Sequence, residues 1–231
     1  MDKFKDKTTS ALGLIYTAVG PGLGDLWMTI NYLLRESERL QKEIKLSLQN
    51  YENHYDIRLT PIQADKKDNR EASFVYDIIN SLEHNGQLRL VNQMGNCRPS
   101  EYWSGFQYFP TKIKWNNKKH GRICYQLDGR TLKEKNPPQE DIHKLTSISN
   151  LEFIKLGLPL TINQSLDIAK NCDLFLGICS GYSHVCHSLG IPTFLIQYNY
   201  NIEKWHKNQK YTLCNGTQDA INKVDKYLTN A

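Results

Sequence analysis

Two short stretches of this chain combine small residues with groups able to hold or move a proton. In Gly20-Pro-Gly-Leu-Gly-Asp25, Gly22 and Gly24 let the backbone turn tightly and a ligand come close, and Asp25 stands at the start of a helix. A carboxylate there has two uses. It caps the helix, stabilised by exposed N–H groups and the dipole, or it faces a cleft as a general base. In Gly177-Ile-Cys-Ser-Gly-Tyr-Ser-His184, small residues precede a helix N-terminus, an arrangement that cradles phosphate, with Ser180 and Ser183 adding hydroxyl donors. His184 would either donate to that phosphate or pack. A third stretch, Asp128 to Lys135, carries Arg130, Lys133 and Lys135, which would neutralise a leaving diphosphate or form a solvated charged loop. Cys179, His184, Cys186 and His187 fit no common zinc spacing, so no metal is expected.

Elements must position these groups. Leu12 to Val19 is a short apolar run suited to a strand covered on both faces. Leu26, Ile30, Leu33 and Leu34 recur at helical spacing and predict a helix beginning just after Gly24, with Arg35 to Arg39 as its polar end. Glu43 to Leu48 reads as a second strand. Val75, Ile78, Ile79 and Leu82 mark a helix stopping at Gly86, and Gln87 to Val91 a further strand. Residues 95–120, rich in Gly, Pro, Asn, Ser and aromatics, connect two lobes, with a boundary near Tyr108 to Asn117. The second half restarts with the strand Arg122 to Leu127, and Pro137-Pro138 opens a helix carrying Ile142 and Leu145. Strand Glu152 to Leu156, helix Asn163 to Asn171, strand Asp173 to Ile178, helix Ser183 to Leu189 and strand Thr193 to Gln197 follow. This alternation predicts an α/β fold with a parallel sheet in each lobe, 1–110 and 111–231. Open α/β sheets bind ligands outside the carboxyl ends of their strands, where all three stretches fall.

Composition narrows the class. Hydrophobic residues at 39% and charged residues at 23% are ordinary for a globular chain, and no apolar run approaches a membrane span. Met1 to Lys7 mixes charges and leads to no cleavage site, so a cytoplasmic protein is expected, in the host cytoplasm if phage-encoded. Six cysteines without a C-x-x-C pair (Cys97, Cys124, Cys172, Cys179, Cys186, Cys214) read as reduced, buried thiols. Between Glu101 and Asp128 there is no acidic residue, while Lys112, Lys114, Lys118, Lys119 and Arg122 fall there among Trp103, Phe106, Tyr108, Phe109 and Trp115. That window suits a nucleic-acid backbone with stacked bases, or an aromatic core beneath a basic surface.

Taken together, two motifs resemble glycosyltransferase family 9, the lipopolysaccharide heptosyltransferase group. Gly22-Leu-Gly-Asp-Leu-Trp-Met-Thr29 is similar to that family's N-terminal G-x-G-D motif, whose aspartate is the proposed base. Leu166 to His184, continued through Leu189-Gly-Ile-Pro192, resembles its donor-binding motif and keeps the Ser-Gly-x-Ser-His core, with Cys179 where the family usually has an acidic residue. The resemblance implies a GT-B architecture of two Rossmann-like lobes facing across a cleft, 1–110 on the acceptor side and 111–231 binding the donor. It implies an inverting transfer in which Asp25 takes the acceptor proton. Ser180, Gly181, Tyr182, Ser183 and His184, with Arg130, Lys133 or Lys135, would hold the departing diphosphate. Neither cofactor nor metal is implied, and the chain contains no Asp-x-Asp signature. The partners expected are a nucleotide-sugar donor and a glycan or glycolipid acceptor. Alternatives are a phage-type enzyme acting on hydroxymethylated pyrimidines in DNA, and a non-catalytic nucleotide-sugar module. Sugar, base and oligomeric state stay open.

Overall fold

The computed structural model describes residues 15–17, 23–47, 70–91, 111–116, 120–129, 136–157, 159–199, 202 and 211–229. The chain divides into two compact units, Met1–Phe109 and Pro110–Ala231, and each holds a parallel sheet. The architecture is therefore α/β in both.

In the first unit, β1 (Ile15–Thr17), β2 (Ile44–Ser47) and β3 (Leu88–Val91) lie side by side in that order, all parallel. Parallel neighbours cannot be joined by a tight turn. Helix α1 (Leu23–Leu40) makes the crossover from β1 to β2, and α2 (Arg70–Ser81) lies between β2 and β3. The register of β2 on β3 puts Ile44 and Leu46, both buried, opposite Leu88 and Leu90. From Leu26 to Asn31 every residue of α1 is buried, so its first half is enclosed on all sides. Only beyond it does burial narrow to a stripe, the expected Leu33 and Leu34 joined by Ser37 from the stretch read as the polar end.

Two helix ends differ from expectation. α1 already includes Leu23 and buries Gly24 in its first turn, because enclosure outweighs the roughly 1 kcal/mol helical cost of glycine. α2 ends at Ser81, whose hydroxyl donates back to the Ile78 carbonyl at 2.7 Å, five residues before Gly86. Gly86 serves a close approach instead: a Cβ there would overlap the Leu34 carbonyl of α1. The buried Ser37 hydroxyl fixes this crossing, donating to Lys42 O at 2.6 Å and accepting from Gln87 N at 2.8 Å.

The second unit is built on β4 (Arg122–Gln126), β5 (Glu152–Lys155), β6 (Leu174–Gly177), β7 (Thr193–Ile196) and β8 (Thr212–Cys214). Their spatial order is β5-β4-β6-β7-β8 and every neighbour is parallel. The helices are α3 (Gln139–Thr146), α4 (Ile162–Ala169), α5 (Gly181–Ser188) and α6 (Thr217–Thr229). All residues of β6 and β7 are buried, as central strands covered on both faces require. Alternation sends Ile123, Leu174, Leu176, Phe194 and Ile196 to one face, packed with Leu145 of α3 and with Ala220 and Val224 of α6. On the other face Cys124 interacts with Cys172 and with Cys186 of α5. Burial pushes the Cys124 thiol well up; its hydrogen bond with Cys172 and burial push Cys172 up as well.

The reading of the sequence places nothing after Gln197, where the structure adds β8 and α6. Five cysteines are free and buried, and Cys97 lies outside the described residues. At the N-terminal edge of the sheet the buried Asp173 carboxylate accepts from His120 N at 2.9 Å and Arg122 N at 3.0 Å. The Trp115 indole donates to Cys172 O at 2.8 Å beside it. Among the described residues no helix is long and apolar enough to cross a membrane.

Candidate functional site

Strand order locates the crevice. From β4 the chain crosses to β5 on one side, then returns past β4 to β6 on the other. The reversal between β4 and β6 is a topological switch point, and loops leaving the two carboxyl ends there diverge and open a crevice. After β4 the chain runs through Leu127, Asp128 and Gly129; after β6 it runs through Ile178 and Cys179 into α5. The second and third stretches singled out in the sequence therefore leave neighbouring strands at one end of one sheet.

The loop after β4 is tied at its neck. Asn136 Oδ1 accepts from Gly129 N at 2.6 Å, and its Nδ2 donates to Gly129 O at 3.1 Å. Arg130, Lys133 and Lys135 belong to the loop so closed and lie outside the described residues. Asp128, just before the neck, is paired with Lys155 of β5 at 2.8 Å.

On the other side Ile178 N donates to Gln126 O at 3.1 Å, carrying the β4–β6 ladder one step past Gly177. No side chain fits at Gly177, where a Cβ would stand 2.6 Å from Gln126 O and 2.6 Å from the Phe175 ring. Ser180 then takes the extended N-cap conformation (φ −145°) and α5 begins at Gly181, two residues earlier than expected, because the cap chemistry centres on Ser180. The Ser183 hydroxyl, fully buried, accepts from Ser180 N at 3.1 Å and donates to Ser180 O at 2.6 Å. Its proton is thus used within the turn. The Ser180 hydroxyl, buried as well, faces the Ser183 amide, so the two serines form a capping box at this helix start. His184 is buried at 5% exposure. The buried Tyr182 donates its phenol proton to Ser165 of α4 at 3.0 Å, joining the two helices.

Beneath this turn lies a group that the sequence reading passed over. Gln126 ends β4 on the face that carries Cys124, with its amide nitrogen beside Gly157. Gly157 has φ +94°, and a Cβ there would lie 3.4 Å from the Tyr182 ring and 3.6 Å from Gln126 Nε2. The Gln126 Oε1 atom is buried and has no hydrogen-bond partner among the described residues. A polar side chain closing the run Ile-Cys-Tyr-Gln-Leu was the available signal. Its place beside Gly157 is one that periodicity does not connect to it.

Asp25 belongs to the first unit, half-buried in the first turn of α1 next to the buried Gly24; Gly22 lies outside the described residues. Two further polar atoms of α1, Trp27 Nε1 and Thr29 Oγ1, are buried without partners among the described residues. In the acid-free window Lys112 and Lys114 are exposed, while the Trp115 indole is engaged with Cys172 O. Trp103, Phe106, Tyr108, Phe109, Lys118 and Lys119 lie outside the described residues. Among the described residues no group of three or more His, Cys, Asp or Glu side chains is disposed to hold a metal ion. Comparison with family models, with curated proteins and with solved structures finds no match to this chain.

Proposed function

We propose that this chain is an inverting, metal-independent glycosyltransferase of the GT-B type, moving a sugar from a nucleotide-sugar donor to a hydroxyl of a glycan or glycolipid. The observation that carries the reading is the strand reversal between β4 and β6, from which the clipped 129–136 loop and the Ser180 cap of α5 both emerge. A helix start favours an anion through its unpaired amides and its dipole, and Arg130, Lys133 and Lys135 add fixed positive charge nearby in sequence. In this reading the second unit is the donor lobe and the first the acceptor lobe. Asp25 accepts the proton of the acceptor hydroxyl while its oxygen bonds to the anomeric carbon. The bond from that carbon to the diphosphate oxygen breaks, and the nucleoside diphosphate departs with its new charge held at α5.

The test is a transfer assay with a panel of nucleotide-sugars, joined to calorimetry on the wild type and on Asp25→Asn. The variant is expected to lose about 10²- to 10⁴-fold in turnover, the usual worth of a general base, at unchanged donor affinity. Unchanged turnover would remove Asp25 from the mechanism. Donor binding by a wild type without any transfer or sugar release would make the chain a binding module instead.

A further inference from the structure

A buried amide oxygen without a partner carries the full cost of lost hydration and gains nothing in return. Gln126 Oε1 is in that position at the end of β4, on the flank of the switch-point crevice and beside Gly157 and the first turn of α5. Gln126 stands where a doubly wound sheet receives its ligand.

The chemistry of this group is specific. An amide oxygen only accepts, so an ionised phosphate oxygen, itself an acceptor, cannot satisfy it. A hydroxyl or an N–H can. Resting on the reading of this unit as a donor lobe, we infer that Gln126 is a specificity-determining residue that reads a hydrogen-bond donor of the nucleotide-sugar, a sugar hydroxyl or a base N–H. The diphosphate is left to the α5 amides. The site then distinguishes nucleoside diphosphate derivatives from inorganic phosphates through a contact made only when ligand is bound.

The experiment compares the full chain with Gln126→Met, of similar length and without the polar end. Melting temperature is measured without ligand. Binding is then measured by calorimetry for inorganic pyrophosphate, for UDP, GDP, ADP and CDP, and for their glucose conjugates. Expected is a melting temperature for Gln126→Met that is unchanged or higher, together with roughly three- to tenfold weaker binding of the matching ligand, the worth of one hydrogen bond. Pyrophosphate affinity should not change. A loss that appears already with the nucleoside diphosphate assigns the donor to base or ribose; a loss seen only with the glucose conjugate assigns it to the sugar. A lowered melting temperature would show that the amide is paired in the free protein and overturn the inference, as would equal affinity for every probe or a matching loss for pyrophosphate. Should Gln126→Met fail to fold, Gln126→Asn, which keeps the amide but withdraws it, is expected to show the same loss of binding. If the wild type binds none of the nucleotides, the donor-lobe reading falls and takes this inference with it; intact wild-type binding with an unaffected variant removes the inference alone.

Discussion

Single atoms decide what each side chain near α5 contributes. A serine at an N-cap ordinarily caps, and its replacement by alanine ordinarily costs about 1 kcal/mol. Here Ser183 adds to the cap, since its hydroxyl holds both backbone groups of Ser180. Urea unfolding should therefore show Ser183→Ala losing about 1 kcal/mol; a variant as stable as the wild type would show that its two bonds to Ser180 are not needed. Gly177→Ala is a harsher change. Its methyl would sit 2.6 Å from a backbone oxygen that the Ile178 amide already holds, so relief must come from the sheet itself. The expected loss is about 1–3 kcal/mol. A variant as stable as the wild type would mean that β4 and β6 separate easily at this point.

At the scale of elements, α4 is the support of the candidate site. Thr161 and Gln164 close a capping box at its start, with Gln164 N donating to Thr161 Oγ1 at 3.2 Å and Thr161 N to Gln164 Oε1 at 2.8 Å. Ser165, one residue on, accepts from the Tyr182 phenol and from Gly157 N. Thr161→Ala should cost about 1 kcal/mol. Because α4 braces α5 through Ser165, native-state hydrogen exchange should also quicken in the first turn of α5, and protection there equal to wild type would show that α5 stands without α4. Nearly all elements were legible from periodicity and punctuation: β4, β5, β6 and β7 fall within a residue or two of their expected spans. The exceptions have physical causes. α6 buries only Ala220 and Val224 completely, amid charged residues, so its stripe is narrow, and the three residues of β8 are too few to show a period. Gly86 looked like a helix stop because glycine often is one, whereas contact with α1 is what requires it.

For the molecule as a whole, two expectations concern stability. The second unit has its own five-stranded sheet and its own core, so residues 110–231 expressed alone should unfold cooperatively in urea. A gradual, non-cooperative loss of circular dichroism would show that the first unit is needed to complete it. Alkaline pH bears on the same core. Burial pushes the Cys214 thiol from an ordinary 9.0 up to about 12, and Cys124 and Cys172 shift the same way. The native state thus retains protons that the unfolded chain gives up. That contribution to stability is complete below pH 9.0 and is lost as pH climbs toward about 12. Unfolding free energies at a series of pH values should decline above that lower bound, and reagents that need a thiolate should leave these cysteines unmodified until the protein unfolds.

The sequence by itself determined the alternation of strands and helices, the reduced state expected of its buried cysteines, and which stretches of small and basic residues would lie at strand ends. Those properties follow from backbone propensity and side-chain periodicity, which act over a few residues. Tertiary structure alone decided that β4 sits between β5 and β6. It also decided that the Ser183 hydroxyl holds the backbone of Ser180, and that Gln126 Oε1 is buried while its amide nitrogen lies beside Gly157. Strand order is a choice among long-range pairings that the same local pattern satisfies equally well. The desolvation of a polar group is set by neighbours distant in the chain, and no local window contains them.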